Sequence, residues 1–124
     1  MDEVKHRNRK TIVLHPMYAL LAASILLPGC RSSPPLTPRQ ALGQHLYNVR
    51  CEHCHGENDL ALKPAPPDIR GVLVRAKLPD GEPATDLEVR RIVLSGKGKM
   101  PSFAGRFTEP QMQALLAYLH SDTD

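Results

Sequence analysis

The chain has 124 residues, with 16 Lys and Arg against 13 Asp and Glu, a formal charge of +3 and a pI near 8.9. Most of that excess lies in the first 29 residues: beyond them 12 basic residues face 11 acidic ones, a balance of +1. A concentrated basic face of the kind that binds nucleic acid is therefore excluded, and with no Trp and 4% aromatic residues the chain has material for one domain with a small core.

In chain order, the first element is a leader. Lys5, Arg7, Arg9 and Lys10 precede an apolar run from Ile12 to Leu27, and Leu27-Pro28-Gly29-Cys30 closes it. A basic start, a short apolar stretch and small residues at the end form a secretory signal, so residues 1–29 read as a signal peptide and the chain as exported. His15 and Pro16 interrupt the run, which falls short of the roughly 20 apolar residues that span a bilayer; an uncleaved anchor is the alternative. The ending resembles a bacterial lipobox, with Leu27 and Gly29 at the expected places and Pro28 departing from the usual pattern. That resemblance implies lipidation of Cys30. Residues 30–36 then read as a lipidated cysteine followed by a Ser- and Pro-rich tether.

Order is expected from Thr37. Thr37-Pro38-Arg39-Gln40 is a capping box with proline at the first helical position, and Ala41, Leu42, Leu46 and Val49 follow at helical spacing. This helix delivers the chain to Cys51-Glu52-His53-Cys54-His55, a C-x-x-C-H sequence and the attachment signature of a covalent haem. Two thiols can add to haem vinyl groups, and the histidine beside the second thiol is then held under the iron. A zinc half-site, a redox C-x-x-C and a disulfide are the alternatives. Zinc lacks a second Cys/His cluster, and the thioredoxin reading lacks alternating strands and helices.

Between Glu57 and Pro83 several prolines surround a weak apolar stretch, Ile69 to Val74, that suits a short helix or a buried loop. No β-hairpin signal or internal repeat is evident. Thr85-Asp86-Leu87-Glu88 opens a second capped helix with Val89, Ile92 and Val93 inward, ended by Gly96 and Gly98. Gly96-Lys97-Gly98-Lys99-Met100-Pro101 then presents a methionine in a loop. A thioether opposite an imidazole is the axial pair that raises the potential of an electron-carrying haem, which makes His55 and Met100 the candidate iron ligands. Thr108-Glu109-Pro110-Gln111 opens a last helix with Met112, Leu115, Leu116 and Leu119 on one face, so Met112 reads as core. His45, His53 and His120 read as surface residues, and Arg70, Arg75, Lys97 and Lys99 as a solvated face.

From Gly43 to Leu119 the chain resembles the class I cytochrome c family. Gly43, Tyr47 and Cys51, four residues apart, match the family's glycine, aromatic and first haem cysteine, and Leu115-Leu116-Ala117-Tyr118-Leu119 is similar to its last-helix pattern. The resemblance implies that the glycine lets the first and last helices pack closely. Pro67-Asp68-Ile69-Arg70-Gly71 resembles the segment whose proline carbonyl accepts a hydrogen bond from the ligating histidine, with Pro66 as the neighbouring competitor. Met100-Pro101-Ser102-Phe103 resembles the distal loop. The expectation is an all-α cytochrome c fold over residues 37–124, three or more helices wrapped around one covalent haem c. Its haem-binding residues are Cys51, Cys54, His55, Met100 and Pro67, with iron on His55 and Met100. The expected function is electron transfer rather than catalysis, between redox protein partners in the bacterial cell envelope, at the periplasmic face of a membrane that Cys30 anchors. The second reading is a haem-based gas or redox sensor with a labile Met100.

Overall fold

The computed structural model describes residues 34–121, so the leader, Cys30 and most of the tether lie outside the described residues. Among those residues the architecture is all-α: four helices, α1 (Pro38–Arg50), α2 (Glu52–His55), α3 (Asp86–Ser95) and α4 (Glu109–Leu119), with one 3-10 turn at Val72–Val74. None of these helices is long and apolar enough to cross a membrane.

Two helix starts form as the sequence predicts. The Gln40 amide donates to Thr37 Oγ1 at 3.3 Å and the Thr37 amide donates to Gln40 Oε1 at 2.9 Å. Thr108 and Gln111 repeat the exchange at 3.4 and 2.9 Å. Each satisfies two amides that a helix start leaves without partners. At α3 only half of the expected box forms: Thr85 Oγ1 accepts from the Glu88 amide at 3.2 Å, but the Glu88 carboxylate turns to the Arg91 guanidinium one turn on. A charged partner at that spacing outcompetes the backbone amide.

The centre of the fold is the crossing of α1 and α4. Gly43, Leu46 and Tyr47 are the buried face of α1, and α4 buries Met112, Leu115, Leu116 and Leu119 as predicted. Leu42 and Val49 do not face inward as the sequence pattern suggests; they are 45% and 55% exposed. The reason is steric. The contact is centred on Gly43, which lies about 100° around the helix from Leu42. A Cβ built on Gly43 would stand 1.9 Å from the Ala114 carbonyl oxygen and 2.8 Å from Tyr118 Cβ, so the backbones meet only because no side chain separates them. Tyr47 and Tyr118 pack beside the crossing with ring centroids 5.4 Å apart and planes at 53°, a tilted arrangement that suits the ring quadrupoles.

The apolar stretch left open by the sequence becomes the 3-10 turn, with Val72 and Leu73 buried under α4. The first half of α3 is tied to both ends of α4. Arg90 holds Glu109 through two 2.7 Å hydrogen bonds, and the exposed His120 ring meets Asp86 at 2.6 Å. The chain between the turn and α3 makes a small arm, where the Leu78 amide donates to Glu82 O at 2.8 Å and Lys77 bridges Pro83. This is the hairpin-like element the sequence reading did not expect. Its tip is Leu78-Pro79-Asp80-Gly81, closed by the Gly81 amide on Leu78 O at 2.9 Å. Proline at the second position and glycine at the fourth suit that turn.

Candidate functional site

Helix α1 ends at Arg50, and the chain turns at Cys51 into the single turn of α2. Positions three and four apart share one side of a helix, so Cys51, Cys54 and His55 are carried on one face. That face forms part of the wall of a cavity of about 550 Å³, which Met100 also lines. The volume lies within the range of roughly 300–1,000 Å³ typical of cofactor sites. Its wall is mostly apolar: Ile69, Val72, Val93, Phe103, Leu115 and Leu119 contribute from five different segments.

His55 is fixed by one bond. Its Nδ1 lies 2.8 Å from the Pro67 carbonyl oxygen. A carbonyl only accepts, so Nδ1 carries the proton and Nε2 keeps its lone pair for a metal. Of the two prolines the sequence offered, Pro67 makes this contact. Its position is set by the next residues. Asp68 Oδ1 accepts from the Arg70 amide at 2.9 Å, and the Arg70 guanidinium closes on the same carboxylate at 2.6 to 3.1 Å. The Arg70 side chain holds the Asp68 carboxyl below its usual range, so the pair that closes the loop persists further into acid. Arg70 stays exposed, as expected of a solvated face, while its guanidinium is engaged by Asp68.

The Met100 loop leaves α3 at Gly96, whose φ of +75° favours glycine, and a Cβ there would stand 2.6 Å from Met100 O. Lys97 and Met100 exchange backbone hydrogen bonds of 3.1 and 2.9 Å. Ser102 Oγ then donates to Leu94 O at 2.6 Å, and the Phe103 amide to Val93 O at 3.0 Å, fastening the loop's exit to α3. Lys97 pairs with Asp80 and Lys99 donates to Lys63 O at 2.7 Å; both lysines stay exposed, as a solvated face requires, and each also holds a partner within the chain. Phe103 and Phe107 stack at 6.0 Å on the cavity wall, and the Arg50 guanidinium sits 5.2 Å from the Phe107 ring centre.

Cys51 and Cys54 are both free thiols at half-buried positions. Burial pushes the Cys51 thiol up to about 11, with Cys54 adding to the rise and Arg50 opposing it. At neutral pH Cys51 is thus a neutral thiol, compatible with its apolar surroundings. Among the described residues no group of three or more His, Cys, Asp or Glu side chains is placed to hold a bare metal ion. The zinc reading therefore finds no ready-made ligand cluster among the described residues. A flat, largely apolar cofactor that carries its own metal fits the donor set better. Two thiols, one imidazole nitrogen and one thioether share a mostly apolar cavity wall, on which the charged Asp80 and Lys97 are paired with each other.

Met112 is 2% exposed in the core and is not part of the cavity wall, as the sequence predicts. His53 is solvent-facing and bonded to Asp59 at 2.7 Å. Sequence reasoning did not find Asp80 or the Lys63 carbonyl. The turn at Asp80 has a local signal in Pro79-Asp80-Gly81; its partner Lys97 is a tertiary fact.

An all-α domain with C-x-x-C-H on the wall of an apolar cavity, and a methionine on the same wall, defines a c-type cytochrome domain. The family described as cytochrome c oxidase, cbb3-type, subunit III matches residues 38–119, from the start of α1 to the end of α4, and the chain belongs to it. The fold is that of cytochrome c. Membership implies covalent haem c and haem-based electron transfer, and suggests redox protein partners; domains of this family are electron carriers, not typically enzymes themselves, and are typically exported to the periplasmic side. No curated protein and no solved structure matches the chain.

Proposed function

We propose that the chain carries one haem and shuttles single electrons between redox proteins of the bacterial envelope. When bound, the haem supplies an iron that accepts and releases one electron. In this reading Cys51 and Cys54 would hold the haem through two thioether links, and His55 Nε2 and Met100 Sδ would bind its iron. Pro67 orients His55 and raises its basicity through the Nδ1 proton. The neutral thioether favours the reduced state and raises the potential. The apolar wall excludes water, so little solvent reorganises when the charge changes. The single observation that carries this reading is the convergence of Cys51, Cys54, His55 and Met100 on one apolar cavity, with His55 Nδ1 already engaged by Pro67.

The domain organisation proposed is a signal peptide at residues 1–29, a lipidated Cys30 with its tether to residue 36, and the cytochrome domain from residue 37. Cys30 is the one cysteine left after Cys51 and Cys54 are assigned to haem, and a lipid would remove an exposed thiol liable to oxidation. Acyl chains on Cys30 would confine the carrier to a shell near the membrane and raise its effective concentration toward membrane-bound partners. The test is the intact mass of the purified protein with its alkaline pyridine spectrum: one haem, two thioether links and added lipid mass are expected. A protein without covalent haem would overturn the carrier reading, and a mature start beyond Cys30 would overturn the anchor alone.

A further inference from the structure

The Met100 turn is weakly held on its entry side. Gly96 and Gly98 flank Lys97 with φ of +75° and +57°, so this stretch has little side-chain packing of its own. Its exit side is fastened to α3 through Ser102 and Phe103. Because Lys97 and Met100 exchange two backbone hydrogen bonds, whatever holds Lys97 also holds the methionine.

What holds Lys97 is an ion pair with the Asp80 carboxylate, on a different segment of the cavity wall. The arm that carries Asp80 is itself anchored. Asp80 Oδ1 accepts from the Glu82 amide at 3.1 Å, and Leu78, which begins the arm's tip turn, is 7% exposed in the core. Glu88, a carboxylate near Lys97, is engaged by Arg91. On the other flank Lys99 donates to Lys63 O. Asp80, Lys97, Lys99 and Met100 all line the one cavity, so three chain segments are tied together around it.

We propose that Asp80 is a positioning residue: through Lys97 it latches the Met100 turn over the cavity and keeps small outside ligands from the position that methionine occupies. This inference rests on the reading of Met100 as iron ligand. It assigns the choice between closed electron carrier and open ligand-binding site to a surface ion pair rather than to the iron ligands themselves. The pair's side chains are 48% and 31% exposed, and an ion pair of that kind shifts an equilibrium by up to about fivefold. High salt weakens it, because the screening length falls to about 3 Å at roughly 1 M.

The test uses the haem-loaded full chain, with carbon monoxide on the reduced form and imidazole on the oxidised form as probes. Asp80→Asn is expected to bind both about three- to fivefold faster than wild type at low salt. Raising the salt should bring wild type toward the variant and leave the variant unchanged. The charge swap Asp80→Lys with Lys97→Asp should restore slow binding, which loss of a merely structural contact would not do. If Asp80→Asn does not load with haem, Lys97→Gln removes the same pair from the other side and is read in the same way. Binding at the wild-type rate in the variant at low salt would overturn the latch. If wild type and Met100→Ala bind both probes equally fast, the reading of Met100 fails and the latch with it; a slow wild type, a fast Met100→Ala and an Asp80→Asn as slow as wild type reject the latch alone.

Discussion

Gly43→Ala adds one methyl group to the point where α1 and α4 touch. The new Cβ would start 1.9 Å from Ala114 O, 2.6 Å from Ala114 C and 2.8 Å from Tyr118 Cβ, against an ordinary contact of at least 3.4 Å. The first of these is a backbone atom inside a helix and cannot rotate away, so α4 must retreat by more than 1 Å, as 3.4 − 1.9 indicates. Leu115, Leu116 and Leu119 move with it. Overpacking of this kind typically costs about 1–3 kcal/mol, and a displaced helix backbone belongs at the upper end. Alanine's higher helix propensity returns about 1 kcal/mol. The net expectation is a loss of about 2 kcal/mol, which for a domain of this size lowers Tm by roughly 8–16 °C. Thermal unfolding of the haem-loaded protein measures it. Ala41→Gly, at an exposed position on the same helix, isolates the propensity contribution and should cost about 1 kcal/mol. A Gly43→Ala protein as stable as wild type, or more so, would refute the close crossing.

Met112→Ala should destabilise by about 2–5 kcal/mol through its core cavity, while leaving the methionine-to-iron absorption band in place. Glu109 is held down to about 2 from 4.5 by Arg90, so the Arg90 bond contributes stability that is present above pH 4.5 and lost as pH falls toward 2. Glu109→Gln should flatten that part of an acid Tm titration; a titration identical to wild type would refute the coupling. Asp68→Asn should loosen the loop behind Pro67 and raise the reduction potential modestly, because a His55 with a weaker Nδ1 hydrogen bond is less basic and stabilises ferric iron less, an effect that voltammetry reads; an unchanged potential would count against it. Cys30→Ser should preserve haem attachment and spectrum, yet either release the protein from membranes or leave the leader uncleaved.

The parts of the fold that sequence made legible are those set by a few neighbouring residues. Thr37 with Gln40, and Thr108 with Gln111, specify helix starts because donor and acceptor are three positions apart. The C-x-x-C-H spacing likewise specifies one helical face. The inward face of α1 was not legible from hydropathy, since a glycine rather than an apolar side chain marks the contact and turns Leu42 and Val49 outward. Half of the α3 capping box was lost to Arg91, a competitor on the same helix that the motif does not count. The ties of Lys97 and Lys99 were beyond reach, because their partners lie 17 and 36 residues away and no local pattern pairs them.

The central claim is that Met100, together with His55, would bind the iron of a haem held by Cys51 and Cys54. The near-infrared absorption of the oxidised holoprotein tests it most directly, since a weak methionine-to-iron charge-transfer band arises only when a thioether sulfur is bound to ferric iron. The account predicts that the band is present in wild type, persists in Met112→Ala and disappears in Met100→Ala together with a large fall in potential. A wild-type protein without the band, or a Met100→Ala protein that keeps it, would contradict the assignment.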